Sequence, residues 1–311
     1  MAIEHASVQA ARKPWGVADL HPWSRIDGSG DAVGELWFQR ADKDAPSPAL
    51  LLKLLFTSEP LSIQVHPDDA FARSIGLPNG KTEAWYILSA TPDARVAIGL
   101  KRCLTADELR ASIRDGSIAD LVQWRPAVKG DIIFVAAGTI HAIGAGIVLA
   151  EIQQRSDTTF RLFDYRRRRE LHEDRAVAVS DTGPVQVQSS PRRLTAARTA
   201  LVSSPHFVFE RIDLQANSNW TLDADRETWI LVIEGRARIG LINASVGDAV
   251  FAEADRAGIE VGPDGTSCLI AYPGPDPTLP LLQDSGEQTT KSAGTSTSPS
   301  PKSNETAEAQ T

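Results

Sequence analysis

Sulfur is scarce in this 311-residue chain, which has two cysteines and one methionine. Cys103 and Cys268 lie far apart and belong to no C-x-x-C pair. That excludes a disulfide framework and a thiolate zinc site, and it fits a reducing cytoplasm. Long apolar runs are also missing. The most apolar stretch, ALLLKLLF at 49–56, is interrupted by Lys53 and is far shorter than the roughly 20 residues a membrane-spanning helix needs. The opening residues, MAIEHASVQAARKPWG, contain no apolar segment of the secretory-signal kind. Positive charge is in deficit: 32 Lys and Arg stand against 40 Asp and Glu, a formal net charge of -8. The long-range field of such a chain repels nucleic acid and anionic bilayers, although a local basic pocket can still hold a small anion. The expectation is a cytoplasmic protein with no nucleic-acid or membrane partner.

A 42% hydrophobic, 23% charged composition is that of a globular chain, and its length suits one large domain or two ordinary ones. Short β-type segments recur between turn residues: GELWFQR (34–40), ALLLKLLF (49–56), LSIQVHP (61–67), TEAWYILSA (82–90), ARVAIGL (94–100), GDIIFVAAGT (130–139) and GIVLAEIQQ (146–154). Many short strands broken by Gly, Pro and Asp predict an antiparallel sandwich or barrel. The period changes to a helical one over 104–124, where Thr105 and Glu108 form a T-x-x-E capping box and Leu109, Ile113, Ile118 and Leu121 share a face. A shorter helical turn is expected around Asp69 to Ile75.

A second β-rich unit runs over 199–282. Gly130-Asp131 leads into IIFVAAGTIH as Gly247-Asp248 leads into AVFAEADRAG, which suggests a duplicated small barrel. The eleventh residue after the glycine is His141 in one copy and Gly258 in the other. From 283 the chain is rich in Ser, Thr, Pro and Gly and lacks aromatic and branched aliphatic residues, the composition of a disordered tail. The division expected is a flexible stretch at 1–12, a metal-binding unit at 13–180, a linker at 181–198, a second, metal-free unit at 199–282 and a tail at 283–311.

In LSIQVHP, strand alternation sends Leu61, Ile63 and Val65 to one side and Ser62, Gln64 and His66 to the other. Glu83 begins the next strand, and His141 closes the GDIIFVAAGTIH run. Gln64, His66, Glu83 and His141 can together form an N/O metal site with positions left for water or substrate.

Taken in order, KPWGVADLHPW (13–23), GELWF (34–38), LSIQVHPDD (61–69), GKTEAWYIL (80–88), AAGTIHAIGAG (136–146) and EIQQRSDTTFRLFDY (151–165) closely resemble the mannose-6-phosphate isomerases of the bacterial short type. These are zinc-dependent members of the cupin superfamily, and the resemblance covers roughly residues 13 to 275. It implies two cupin-like jelly-roll barrels in tandem, with a helical insertion, and interconversion of mannose 6-phosphate and fructose 6-phosphate through an enediol. It also implies that Gln64, His66, Glu83 and His141 ligate zinc, the same set that the strand faces suggest. Other divalent metals suit such ligands as well. One departure is Ala136, which stands where the cupin pattern has proline and bears on turn rigidity more than on ligation.

By the same resemblance Glu151, Arg161 and Lys81 line the active site. Glu151 is expected to shuttle the proton, Arg161 to supply a cation near the enediolate or phosphate, and Lys81 to act as electrostatic partner or alternative base. Lys53 and Ser62 match positions that hold the substrate phosphate, and Trp15 and Glu35 fall in motifs that line the cavity. The run Arg166 to Arg169 reads as a solvated face. A phosphorylated hexose is the expected small-molecule partner, and the chain would act as a monomer or homodimer. The competing readings are a metal-dependent cupin oxygenase with iron at the same ligands and a non-catalytic sugar-binding cupin.

Overall fold

A computed structural model of the chain describes residues 2–26, 30–185 and 190–285. It is mainly β, built from antiparallel sheets with few helices. Twelve strands precede residue 164: β1 (Ala2–His5), β2 (Ser7–Val17), β3 (Val33–Gln39), β4 (Leu50–Thr57), β5 (Ile63–Val65), β6 (Glu83–Ala90), β7 (Arg95–Leu100), β8 (Val122–Pro126), β9 (Ile132–Val135), β10 (His141–Ile143), β11 (Ile147–Gln154) and β12 (Phe160–Phe163). Four helices lie among and after them: α1 (Asp69–Ser74), α2 (Ala106–Asp115), α3 (Ile118–Leu121) and α4 (Glu173–Val179). One sheet runs β2-β3-β4-β11-β6-β9 and faces a second, β12-β5-β10-β7-β8. The strands between Arg192 and Asp284 form a ten-stranded sheet together with β1.

The six-stranded sheet is covered on both sides, which explains the unbroken apolar look of ALLLKLLF. Leu50, Leu52, Leu54 and Phe56 point outward into a core shared with Phe207, Phe209, Trp229, Phe251 and Leu269 of the second unit. Leu55 points the other way, toward Trp85, Ile98 and Leu149 between the two sheets of the first unit. Lys53 is on that inner side as well, two residues from Leu55. The outer face of the five-stranded sheet, Ile63, Val65, Ala97 and Ala142, is covered by Leu109, Ile113, Ile118 and Ala176 of the helices. The capping box at the start of α2 forms as its sequence indicates, with Thr105 and Glu108 exchanging hydrogen bonds.

Several expectations need correction. The expected flexible stretch at 1–12 holds two strands: β1 (Ala2–His5) pairs with Ala249–Glu253 of the second unit and β2, from Ser7, pairs with β3. Their weak alternation hid them, because much of β2 is exposed. The helical stretch 104–124 ends early, at Leu121, and its last residues enter β8. The linker 181–198 contains a two-residue strand, and Arg198, at its end, is buried against Glu210. The second unit runs on past 282, since Leu282–Asp284 pairs with Asn219–Ala224. The expected disordered tail from 286 lies outside the described residues. Leu61 does not share a face with Ile63 and Val65; β5 begins only at Ile63, and Leu61 packs in the inner cluster.

The second unit repeats the register of the first. Trp85 pairs with Ile133 as Ile230 pairs with Val250, and His141 pairs with Gln64 as Gly258 pairs with Thr221. Counting from these pairs puts Thr221, Asp223, Thr228 and Gly258 where the first unit has Gln64, His66, Glu83 and His141. Among the described residues no helix is long and apolar enough to cross a membrane.

Candidate active site

Two rows of side chains face each other between the sheets of the first unit. Across the six-stranded sheet the register aligns Trp37, Lys53, Glu151, Trp85 and Ile133. Across the five-stranded sheet it aligns Arg161, Gln64, His141 and Ile98. Inward-pointing residues of an antiparallel strand recur every second position, so Glu83 lies one step beyond Trp85; Ser62, just before β5, lines the same cavity as Gln64. The polar groups named from the sequence therefore converge because their strands pair in this register.

His66, Glu83 and His141 form a fully buried group whose potential ligand atoms lie within 4.8 Å of one another. Each imidazole is oriented by its Nδ1, which is 2.8 Å from the carbonyl of Thr158 in His66 and 2.8 Å from that of Thr139 in His141. With Nδ1–H donating to a carbonyl, each Nε2 presents its lone pair to the interior of the group, the usual arrangement of outer-shell support; there His66 Nε2 meets Lys81 Nζ at 3.2 Å. Glu83 Oε2 is 3.5 Å from His66 Nε2, and Glu83 Oε1 is 3.5 Å from His141 Nε2. Ligands sharing one tetrahedral ion at about 2.0–2.1 Å stand roughly 3.3 Å apart, so the three groups fit a divalent cation. Glu83 Oε2 pairs with Lys81 Nζ at 3.0 Å. Gln64 joins the cluster with its amide 3.3 Å from His141 Nε2, and Ser62 Oγ donates to its Oε1 at 3.1 Å. Turning the amide over would aim Oε1 at the same point.

The turn before His141 explains how the loop holds both imidazoles. Gly138, at φ 90°, donates its N–H to the His66 carbonyl at 2.9 Å, and a Cβ there would lie 2.8 Å from Asp181. Only glycine takes that conformation without strain.

Burial and charge divide the ionisable groups. Burial pushes His141 down to about 4. Burial, with Lys81 and His141 nearby, holds His66 well below its ordinary value, so both imidazoles are neutral at pH 7 and able to ligate. Burial works against the Lys81 ammonium, but Glu83 and Glu151 more than offset it and raise its pKa. Lys81 therefore stays protonated, which suits an electrostatic partner and not a base. Burial and the Glu83 carboxylate push Glu151 up, against Lys53 and Lys81. Glu151 Oε1 lies 3.3 Å from Lys53 Nζ, and Trp85 Nε1 donates to its Oε2 at 3.1 Å. Lys53 also lies 3.9 Å from Glu35 and 4.6 Å above the Trp37 ring.

These groups surround a cavity of about 90 Å³ lined by Trp15, Glu35, Lys53, Ser62, Gln64, Lys81, Glu151 and Arg161. Lys13, Asp157 and Thr159, which the sequence does not single out, line it as well, and so does Arg169 from the arginine run. Arg161 Nε is buried without a hydrogen-bond partner. The cluster Arg166 to Arg169 is only partly a solvated face. Asp164 accepts hydrogen bonds from Arg167 at 3.2 Å and Arg169 at 2.7 Å, and both guanidinium groups lie over the Trp15 ring. A larger groove, about 810 Å³, lies at the seam with the second unit among Trp23, Arg25, Arg236 and Asp248. The buried metal-type group is not part of it, so size does not mark the site here.

No family model matches the chain. Over 206 residues it is 34% identical to the mannose-6-phosphate isomerase of Streptococcus mutans, covering 62% of this chain and 63% of that protein, a little under two thirds of its length. Over 223 residues it is 32% identical to YvyI of Bacillus subtilis, assigned to the same family by name, covering 66% of this chain and 69% of that one. The crystal structure of the mannose 6-phosphate isomerase from Bacillus subtilis superposes with a TM-score of 0.74, covering 88% of this chain and 100% of that one at 24% identity. At that identity the likeness is one of fold.

Proposed function

We propose that this chain, which belongs to the mannose-6-phosphate isomerase family, interconverts mannose 6-phosphate and fructose 6-phosphate as a metal-dependent enzyme of the cytoplasm. The observation that carries the reading is the buried His66–Glu83–His141 group, set beside a cavity in which a partnered carboxylate, Glu151, faces a ring of cationic side chains. The facing sheets of the first unit, and the repeated register of the second, support two cupin-like jelly rolls in tandem.

Gln64, His66, Glu83 and His141 would hold a divalent metal, for which zinc suits the N/O donors. When bound, such an ion supplies charge that stabilises oxyanions formed on the sugar. The residues of the chain do the rest. Glu151, its pKa raised by burial, moves the proton between adjacent carbons as base and then acid. Lys53 holds Glu151 Oε1 and keeps that carboxylate available for ionisation. Lys81, held protonated between Glu83 and His66, adds fixed positive charge next to the donors. Arg161, whose Nε has no hydrogen-bond partner, offers its guanidinium to the phosphate or the enediolate, and Ser62 lines the same cavity.

In this reading Lys53 serves Glu151 before it serves a phosphate, because its charge is already shared with Glu151 and Glu35. A cavity of about 90 Å³ is also small beside the roughly 300–1,000 Å³ of most small-ligand pockets. Entry of a hexose phosphate therefore requires lining side chains to rearrange. The test follows fructose 6-phosphate production from mannose 6-phosphate by zinc-loaded protein, with and without chelator. Turnover abolished by chelation and restored by zinc is expected. Folded, metal-loaded protein with no turnover would overturn the proposal.

A further inference from the structure

Trp85 is fully buried at the centre of the site, yet it does not line the cavity. Its single indole N–H lies 3.1 Å from Glu83 Oε1 and 3.1 Å from Glu151 Oε2, so it is shared between two carboxylates. One of them belongs to the metal-type group and the other is the acid–base carboxylate of the proposed reaction. Glu83 and Glu151 sit on adjacent strands in successive rows, where two carboxylates in a dry interior repel each other strongly. Glu83 Oε1 is also the oxygen nearer to His141, and Glu151 Oε2 is the oxygen not paired with Lys53. The N–H thus fixes the one oxygen of each carboxylate that its lysine partner leaves free, since Lys81 takes Glu83 Oε2 and Lys53 takes Glu151 Oε1.

We propose that Trp85 is a positioning residue: its indole N–H couples the orientation of the metal-ligand carboxylate Glu83 to that of the proton-moving carboxylate Glu151. It touches neither substrate nor metal. The kinetic half of this inference rests on the isomerase reading; the metal-binding half does not. The shared N–H also gives Trp85 a role that packing alone does not, because a ring of the same shape without the N–H would fill the same volume and hold neither carboxylate.

The test replaces Trp85 in two ways. Trp85→Phe removes the N–H together with some volume, and site-specific incorporation of benzothienylalanine removes the N–H while keeping the bicyclic shape. Zn²⁺ affinity is measured by competition with a chromogenic chelator, and kcat and KM are measured at saturating zinc. Outer-shell donors to metal ligands typically matter by about 10–100-fold, so zinc affinity should fall by about tenfold or more in both variants. At saturating zinc kcat should fall by a similar factor while KM changes little. If the benzothienylalanine protein binds zinc as tightly as the parent, the N–H does not hold Glu83 and the proposal is overturned. Weaker zinc binding with an unchanged kcat would overturn the coupling to Glu151. Should the parent protein fail to turn over mannose 6-phosphate at all, the isomerase reading falls, and the zinc titration still decides whether Trp85 holds Glu83.

Discussion

Replacing Lys53 by methionine keeps an unbranched apolar stem, one atom shorter, and removes the ammonium. Lys53 is 2% exposed and pairs directly across β4 and β11 with Glu151, at 3.3 Å. At an effective dielectric of about 20, two unit charges at that distance attract by about 5 kcal/mol. Breaking a buried pair from one side costs about 3–5 kcal/mol, because the charge left behind has lost its counterpart. Glu151 already has a raised pKa from burial and from Glu83, with Lys53 pulling it down. Without Lys53 it moves further up and spends more of its time protonated at neutral pH. The expected result is a lower urea midpoint, a lower kcat and an acid limb of the pH–rate profile displaced to higher pH. Adding Glu151→Gln should recover much of the stability lost in Lys53→Met, giving a coupling of about 2 kcal/mol or more in the double-mutant cycle. A phosphate-holding Lys53 would behave otherwise: KM for the phosphorylated sugar would rise, kcat would hold, and no coupling to Glu151 would be measured. That pattern would refute the assignment of Lys53 to Glu151.

Three further outcomes follow from the same geometry. His66→Ala and Glu83→Ala should each lower bound zinc, read by atomic absorption on dialysed protein, together with rate, whereas Arg161→Ala should leave zinc content intact and impair turnover. In metal-free protein, His141 is held at about 4 when folded against about 6.5 unfolded. Its contribution is therefore complete above pH 6.5 and is lost as pH falls toward 4, by up to about 3 kcal/mol. The raised carboxyls of Glu151 and Glu227 slope the opposite way, so the check is the difference in pH-dependent urea stability between the parent and His141→Asn. Deleting residues 1–6 removes β1 from the edge of Ala249–Glu253 and breaks the Glu4–Arg40 pair, whose N–O distance is 2.6 Å. It should lower the thermal midpoint and expose a strand edge that promotes self-association, seen by light scattering. A truncated protein as stable and monodisperse as the parent would show that β1 is dispensable.

Strand alternation and turn chemistry are local properties, and they determined a good deal by themselves. A period of two pointed Gln64 and His66 to one side, because side-chain direction in a strand depends only on parity, although it failed at Leu61, where β5 has not begun; the G-D turn pointed to His141, which joins His66 in one buried group. The T-x-x-E box announced α2 for the same reason, since its bonds span three residues. Lys53 was conspicuous as the one charge in an apolar strand.

Register and packing between distant segments are not local, and these the tertiary structure alone decided. Lys53 took Glu151 as its partner because β4 lies against β11 with those residues opposite each other, a pairing that sequence spacing cannot specify. Lys13, Asp157, Thr159 and Arg169 entered the cavity from segments that carry no periodic signal. Arg167 and Arg169 left the solvent to clasp Asp164 over Trp15, although a run of four arginines looks exposed on charge alone. β1 became part of the second unit's sheet through backbone hydrogen bonds to a strand some 250 positions away, and backbone groups look alike in every sequence. The chemistry available was written in residue types and parity; which groups share a proton, a charge or an N–H was settled by the pairing of strands.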